Sequence, residues 1–279
     1  MMPKQGVVLS GGGARGAYQI GVLKALKKHG ILSNVQAYSG ASVGSLNAIM
    51  LAMDNLDLAE EVWLSMDEDN LFSSDRSFLK ALFQEGMELM KKGFYSTNKL
   101  ETMIDKVLDF DVIYSNDIYV ATSHVGDDQA NFFELVSVNI RNAFHKETMS
   151  EYSLLRDLSK SDIKKTLLAS CALPIMFKPV VIQGETYYDG GMLNNTPCEP
   201  LTDCGCDEIF LIDLFRFRIN RNVCSDDVKF YTIKPSKNLR RIMDFSPDVI
   251  AWRFDLGFKD GEAFAMQYKE NKQENKVIL

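Results

Sequence analysis

An α/β fold with a largely parallel sheet covered by helices is what this 279-residue chain predicts, on three observations. A short apolar run, Gly6–Ser10, feeds a glycine loop (Gly11, Gly12, Gly13, Ala14, Arg15, Gly16), and Ala17–His29 follows with Ile20, Leu23 and Leu26 at helical spacing before Gly30. A second run, Asn34–Ser39, turns through GASVG around Ser42 into Val43–Met53, where Val43, Leu46, Ile49, Met50 and Met53 again repeat with a helical period. Two successive strand, glycine turn, helix units put neighbouring strands in parallel. Finally, 46% hydrophobic and 25% charged residues are ordinary globular usage. With no internal repeat and no biased linker, one domain over residues 1–279 is expected.

The remaining elements read in order. Leu58–Lys92 has helical periodicity and unusual weight in methionine and phenylalanine, ended by Gly93. Such a stripe is either core or subunit packing, the commoner fate of helical apolar faces, or an adaptable greasy cap over an acyl-chain site, and the region about 58–108 is marked as cap-like with both readings open. Thr97 or Ser96 can cap a further helix, Asn98–Leu108. Asp117–Ser123 is a strand, expected to form an edge hairpin with Asn131–Val138, and Arg141–Glu151 reads as polar linker. Ile163–Ala172 is a helix capped by Ser161 or Asp162 and stopped by Pro174. Val180–Tyr188 is extended with a turn at Gln183 and Gly184, and it runs into Asp189, Gly190 and Gly191. Glu208–Leu214 and Val228–Ile233 are strands. Phe245–Gln267, within a C-terminal segment of about 245–270, is a helix over the sheet, with the polar end KENKQENKV expected to fray.

Composition narrows the function. A net charge of −7 without a long basic block argues against nucleic acid as a partner. The start has no apolar run of signal-peptide length, and nowhere do about 18 apolar residues follow one another. A cytoplasmic protein, at most peripheral to membranes, is the expectation. Five cysteines fit a reducing compartment, and the spacing of Cys198, Cys204, Cys206 and Cys224 matches no zinc pattern. No metal is expected and no calcium-loop pattern is present. No cofactor is expected either.

The chemistry centres on Ser42. GxSxG between a strand and a helix is the pattern of a nucleophile elbow, whose tight turn projects the hydroxyl; Gly40 and Gly44 remove the side chains that would crowd it. An ordinary turn can carry the same letters. For the earlier loop three readings compete: a dinucleotide fingerprint, a cradle of amides for an anion or oxyanion, or a tight turn. GxGxxG is matched at Gly11, Gly13 and Gly16, but no acidic residue closes a second strand about 20 residues on, which disfavours a dinucleotide. No GK[ST] follows, so it is not a Walker loop. Arg15 can lock the loop, meet a phosphate, or pair with a surface carboxylate.

A serine hydroxyl needs a proton acceptor. Of three histidines, none lies after position 145, so the late histidine of a standard hydrolase is missing. His124, at a strand end, is the outsider. Asp189, between a strand and two glycines, is the stronger candidate, although Asp-Gly is also a common turn signal.

The ordered motifs GGGARG, GASVG, ASCALPIMFKP and DGG resemble the patatin-like phospholipase family, across roughly Gly6 to Pro200. The tail DFSPDVIAWRFDLGFKDG is similar to the closing segment of small bacterial members. The resemblance implies a three-layer α/β/α sandwich with a mostly parallel central sheet, and lipid acyl hydrolysis by a serine–aspartate dyad. It makes Ser42 the nucleophile and Asp189 the base, puts the oxyanion hole at the amides of Gly12, Gly13 and Ala14, and matches Arg15 to the family's loop arginine. It also makes the helix and proline of Ala169–Pro174 an active-site wall, with Gly190 and Gly191 behind Asp189. The implied substrate is a phospholipid or other acyl ester, with transient contact to a membrane surface. Two alternatives stand beside this: an esterase or thioesterase for small soluble esters, and a noncatalytic membrane- or protein-binding module using Leu71–Met90.

Overall fold

The computed structural model describes residues 3–66, 101–102, 104–105, 108–125, 149–173, 177–217 and 227–277. β1 (Gln5–Leu9) leads through the glycine loop into α1 (Gly16–Lys28), and β2 (Val35–Ala41) leads through Ser42 into α2 (Val43–Ala52). β1 and β2 pair in parallel, as two such units require, with Leu9 opposite Gly40. β3 (Asp117–His124) continues the sheet beyond β2, while β7 (Glu208–Ile212) and β8 (Lys229–Ile233) continue it beyond β1, all in parallel. β4 (Met149–Leu154), β5 (Val180–Ile182) and β6 (Glu185–Asp189) add an antiparallel patch around β3. The described sheet has eight strands in the order β5-β6-β3-β2-β1-β7-β8, with β4 on β3.

Alternation along the strands creates two cores. Val7 and Leu9 face a large cluster with Tyr18, Leu23, Leu46, Ile49 and Trp63, whereas Val8 faces a smaller one with Ala37, Leu201, Ile209 and Leu211. The large core is covered by α1, α2, α3 (Leu56–Leu64) and the C-terminal α7 (Pro247–Val277); the small one by the short α6 (Glu199–Asp203). Helices thus cover both sides of an open sheet. Cys198 and Cys206 sit in the small core as buried apolar groups. Among the described residues, no helix is long and apolar enough to cross a membrane.

A polar chain inside the large core ties the two units together. The Trp63 indole donates to Asn47 Oδ1 (2.9 Å), Asn47 donates to the Gly16 carbonyl and to Gln19 (3.1 and 2.8 Å), and Gln19 donates to the Ser10 carbonyl (2.8 Å). Each buried polar group has its partner, so the network fixes where the glycine loop leaves β1.

Several expectations change. β3 is interior, with partners on both edges, rather than one arm of an edge hairpin. Its expected partner, 131–138, lies outside the described residues. The end of the expected linker, 141–151, instead begins β4: Met149–Leu154 finds a free edge on β3, and that tertiary pairing overrides its polarity. The helix expected at Ile163–Ala172 is α5 (Lys160–Ser170), capped by Ser159, whose hydroxyl accepts from the Asp162 amide at 3.1 Å. A short α4 (Phe110–Ser115), capped by Asp109, was not anticipated. Of the methionine- and phenylalanine-rich stretch, α3 ends at Leu64; Trp63 and Met66 are core, and 67–100 lies outside the described residues. α7 extends past the expected end at Gln267 and runs through Val277.

α7 lies against α1 at very short range. A Cβ on Gly257 would sit 2.0 Å from the Tyr18 carbonyl oxygen, and one on Gly21 would sit 2.1 Å from that of Phe254. Gly257→Ala should therefore push the helices apart and lower unfolding stability by about 1–3 kcal/mol, as overpacking does. A urea titration reads this directly, with an unchanged midpoint as the contrary result.

Candidate active site

The nucleophile expected from GASVG sits where β2 stops and α2 starts. Ser42 holds φ 54°, ψ −132°, left-handed backbone that a side chain rarely adopts, and it is 5% exposed. The turn is closed so tightly that a Cβ on Gly40 would meet the Gly44 carbonyl carbon at 2.4 Å, and one on Gly44 would meet the Leu9 oxygen at 2.1 Å. Both positions therefore require glycine for space. The strained backbone is held by hydroxyls: the Ser42 amide donates to Ser170 Oγ (2.9 Å), Ser170 donates to the Ala121 carbonyl (2.7 Å), and Ser45 donates to the Ser42 carbonyl (2.6 Å). Ser170 belongs to ASCALP, so part of that motif bolts the elbow to β3. Pro174 lies outside the described residues.

Sheet register brings Asp189 to this serine. β4 runs along residues 119–124 of β3 on one edge, so β2 and β6 share the other edge, end to end. Ala41, the residue before Ser42, is opposite Ala121, and Asp189 is opposite Thr122. Adjacent rungs of β3 thus hold Ala41 and Asp189, 148 positions apart along the chain. The Asp189 backbone is fixed by Ser123 Oγ donating to its carbonyl (2.9 Å) and by its own amide donating to Ala172 (3.1 Å). Gly190 packs on the same rung, since a Cβ there would lie 2.1 Å from the Ala121 oxygen.

The carboxylate itself is 2% exposed, with Oδ1 accepting from the Gly191 amide at 2.8 Å. Burial pushes its pKa up from 3.8 to about 7, against the opposing pull of the Ser42 hydroxyl and the Gly191 amide. Oδ2 has no hydrogen-bond partner among the described residues, although Ser42 is near enough to act on the carboxyl. We read the pair as a close approach short of a formed bond. Cys171 also faces Ser42 and Ser45; burial first, and then the Asp189 charge, push its thiol up, so it stays protonated at neutral pH.

The glycine loop forms the third wall. Gly11, Gly12 and Gly13 line one cavity with Ser42 and Asp189. The amides of Gly12 and Gly13 donate to no protein acceptor among the described residues. Ala14 departs from expectation: its amide donates to the Ile242 carbonyl at 2.8 Å, which removes it from the set available to an oxyanion. Arg15 is likewise committed to backbone, with Nε donating to the Arg240 carbonyl at 3.0 Å and Nη2 to the same oxygen, while its guanidinium lies 5.1 Å over Phe215. Asn195, which sequence reasoning missed, donates to the Gly11 carbonyl at 3.1 Å. Its only signal was the polar pair that follows Asp-Gly-Gly.

The cavity holds about 180 Å³ and is otherwise apolar, walled by Leu173, Met192, Phe215 and Ile242. A larger cavity of about 460 Å³ between β8 and α7 contains none of the expected residues, so the smaller one is the candidate site. No histidine lines it among the described residues. His124 Nε2 pairs with Glu185 at 2.8 Å and His29 with Glu262 at 3.8 Å, while His145 lies outside the described residues.

Two stability predictions follow from this geometry. Relieving the backbone of Ser42 with Ser42→Gly should raise stability by about 1 kcal/mol, read by denaturation; a loss would contradict the strain. Folded Asp189 keeps its proton up to about 7 and the unfolded chain only to about 3.8, so the folded state holds more protons between these values. Stability through this group therefore falls as pH rises across that window. Asp189→Asn should be more stable than the wild type at pH 8, by at most about 4 kcal/mol, with the gap closing near pH 4. Melting temperatures across pH test this, and a gap independent of pH would refute it.

The profile of the family described as Patatin-like phospholipase matches residues 7–202. An uncharacterized protein, R571, of Acanthamoeba polyphaga mimivirus is 27% identical over 198 residues, covering 68% of this chain and 59% of that protein. Lysophospholipase nte1 of Aspergillus terreus is 25% identical over 214 residues, 75% of this chain and only 12% of the much longer relative. Among solved structures, VipD of Legionella pneumophila superposes with TM-score 0.52 at 14% identity, over 96% of this chain and 67% of that one. Human GIVD cytosolic phospholipase A2 superposes with TM-score 0.54 at 10% identity, over 95% and 59%. The two structures share the fold, and the sequence match over residues 7–202 carries the assignment: the chain belongs to the patatin-like phospholipase family.

Proposed function

We propose that the protein is a lipid acyl hydrolase of the lysophospholipase or phospholipase A type that cleaves carboxylic esters with Ser42 and Asp189. One observation carries the reading: a strained serine, a buried carboxyl and a glycine loop line one cavity, and among the described residues neither Asp189 Oδ2 nor the Gly12 and Gly13 amides have a hydrogen-bond partner. Asp189 takes the proton of Ser42 as Oγ attacks the ester carbonyl. The Gly12 and Gly13 amides receive the developing oxyanion, with the start of α2 adding its dipole beside the nucleophile. The leaving alcohol takes the proton back, and water, activated by Asp189, releases the acyl group. A carboxyl at its ordinary pKa is a poor base near neutrality; burial brings Asp189 to about 7, the range suited to general-base work.

The apolar walls suit an acyl chain, and the fungal relatives are named lysophospholipases, which favours a single-chain lipid ester over a small soluble one. The dyad supports an enzyme over a binding module, since binding alone needs no such pair.

Hydrolysis of lysophosphatidylcholine and of p-nitrophenyl butyrate tests both parts. Ser42→Ala and Asp189→Asn should each lose about a thousandfold or more, while His124→Ala retains activity. Wild-type kcat/KM should rise with pH and level off above about 7 as Asp189 loses its proton. Loss of activity in His124→Ala, or full activity in Asp189→Asn, would overturn the dyad. A strong preference for the butyrate would move the assignment to a small-ester esterase.

A further inference from the structure

We infer that Arg253, on α7 and beyond the family-matched residues 7–202, is a positioning residue for the oxyanion loop, acting through the segment 239–244. The inference rests on the proposed use of the Gly12 and Gly13 amides.

Arg253 is fully buried, and its guanidinium is spent on backbone. Nε donates to the Leu239 carbonyl (2.9 Å), Nη2 to Arg241 (2.7 Å) and Nη1 to Asp244 (2.7 Å). The carbonyls between them point the other way. That of Arg240 accepts both Arg15 nitrogens, and that of Ile242 accepts the Ala14 amide at 2.8 Å. Odd and even carbonyls along 239–242 thus alternate between one guanidinium and the glycine loop, in a segment that bends through Arg240 at φ 63°. Turning one of these peptides over would cost the bond that its carbonyl accepts.

The contact reaches the reacting centre in one step. Gly13 has φ +55°, and a Cβ on it would lie 2.7 Å from the Ile242 oxygen, so the segment presses directly on the loop. Ile242 also lines the cavity with Ser42. Ala14 and Arg15 are tied to 239–244 and the Gly11 carbonyl to Asn195, while the Gly12 and Gly13 amides, like that of Gly11, have no acceptor among the described residues. Burial pulls the Arg253 pKa down to about 10, opposed by Asp244 and assisted by Arg15 and Arg240, so the side chain remains cationic at neutral pH. A buried cation is costly unless its geometry is fully used, and lysine cannot reproduce a planar fork onto several carbonyls.

The test is Arg253→Lys in the full chain, with three readouts beside a check of folding by circular dichroism. On p-nitrophenyl butyrate, kcat should fall about tenfold or more while KM stays within about threefold. An alkyl trifluoromethyl ketone, which forms an oxyanion on the serine, should bind more weakly by a similar factor. The matching alkyl ether, which has no carbonyl, should bind as in the wild type. A folded variant with kcat within about twofold of wild type, or one that loses ketone and ether binding together, overturns the inference. If Arg253→Lys does not fold, Arg15→Met cuts the loop's other tie to the segment while leaving α7 intact; the same kinetic pattern supports the inference, and normal kcat overturns it. A wild type that hydrolyses no ester, or whose activity survives Ser42→Ala, removes the hydrolase reading itself, a result that Arg253 variants cannot produce.

Discussion

The site depends on one arrangement in the sheet: β2 and β6 meet end to end along a single edge of β3. A strand has two hydrogen-bonding edges, and β4 occupies one of them. The other is divided between a parallel partner ending at Ala41 and an antiparallel partner ending at Asp189, on the adjacent rungs Ala121 and Thr122. Everything chemical follows from that junction. The chain leaving β2 must turn away at once, which is the strained bend of Ser42, and the chain leaving β6 must turn away as well, which is the Asp189-Gly190-Gly191 turn. The Ala121 carbonyl sits at the seam, taking the Ser170 hydroxyl and leaving no room for a side chain on Gly190.

The cost of this junction is visible locally, and the remainder of the fold offsets it. A non-glycine residue at positive φ and a carboxyl with one buried, unpartnered oxygen are each destabilising. Both persist because their surroundings are over-determined. Ser170, Ser45 and Ser123 tie the two turns to backbone, and the Trp63–Asn47–Gln19–Ser10 chain anchors the glycine loop's origin in the large core. The same burial that weakens the fold at neutral pH gives Asp189 an affinity for protons near 7. Stability is exchanged for basicity at one residue.

Much of this was legible in the sequence where the signal was local. The two strand, glycine turn, helix units carry their own periodicity and breakers, and so Gly6–Met53 is close to its expected form. The closeness of Ser42 to Asp189 is a matter of strand register across 147 positions, which no local pattern encodes. Motif order supplied it through family resemblance instead. Met149–Leu154 looked like linker because its strand character comes from the free edge of β3. The family resemblance implied an oxyanion role for the Ala14 amide, but Ile242, 228 positions later, claims it with its carbonyl. Ser170 lay within the expected wall Ala169–Pro174 but without a role of its own, and Asn195 was missed: a hydroxyl or amide that serves another segment's backbone leaves no mark in its own neighbourhood.

The chain matches only 12% of the Aspergillus lysophospholipase and 59% of the mimivirus protein, so what they share with it is this patatin-like unit. The proposed role of Ser42 is to carry the acyl group. Treatment with an alkyl fluorophosphonate, followed by proteolysis and peptide mass spectrometry, tests it most directly. The account predicts a single stoichiometric phosphonyl adduct on the peptide bearing Ser42. An adduct on another residue, or none under conditions where the protein hydrolyses esters, would contradict it.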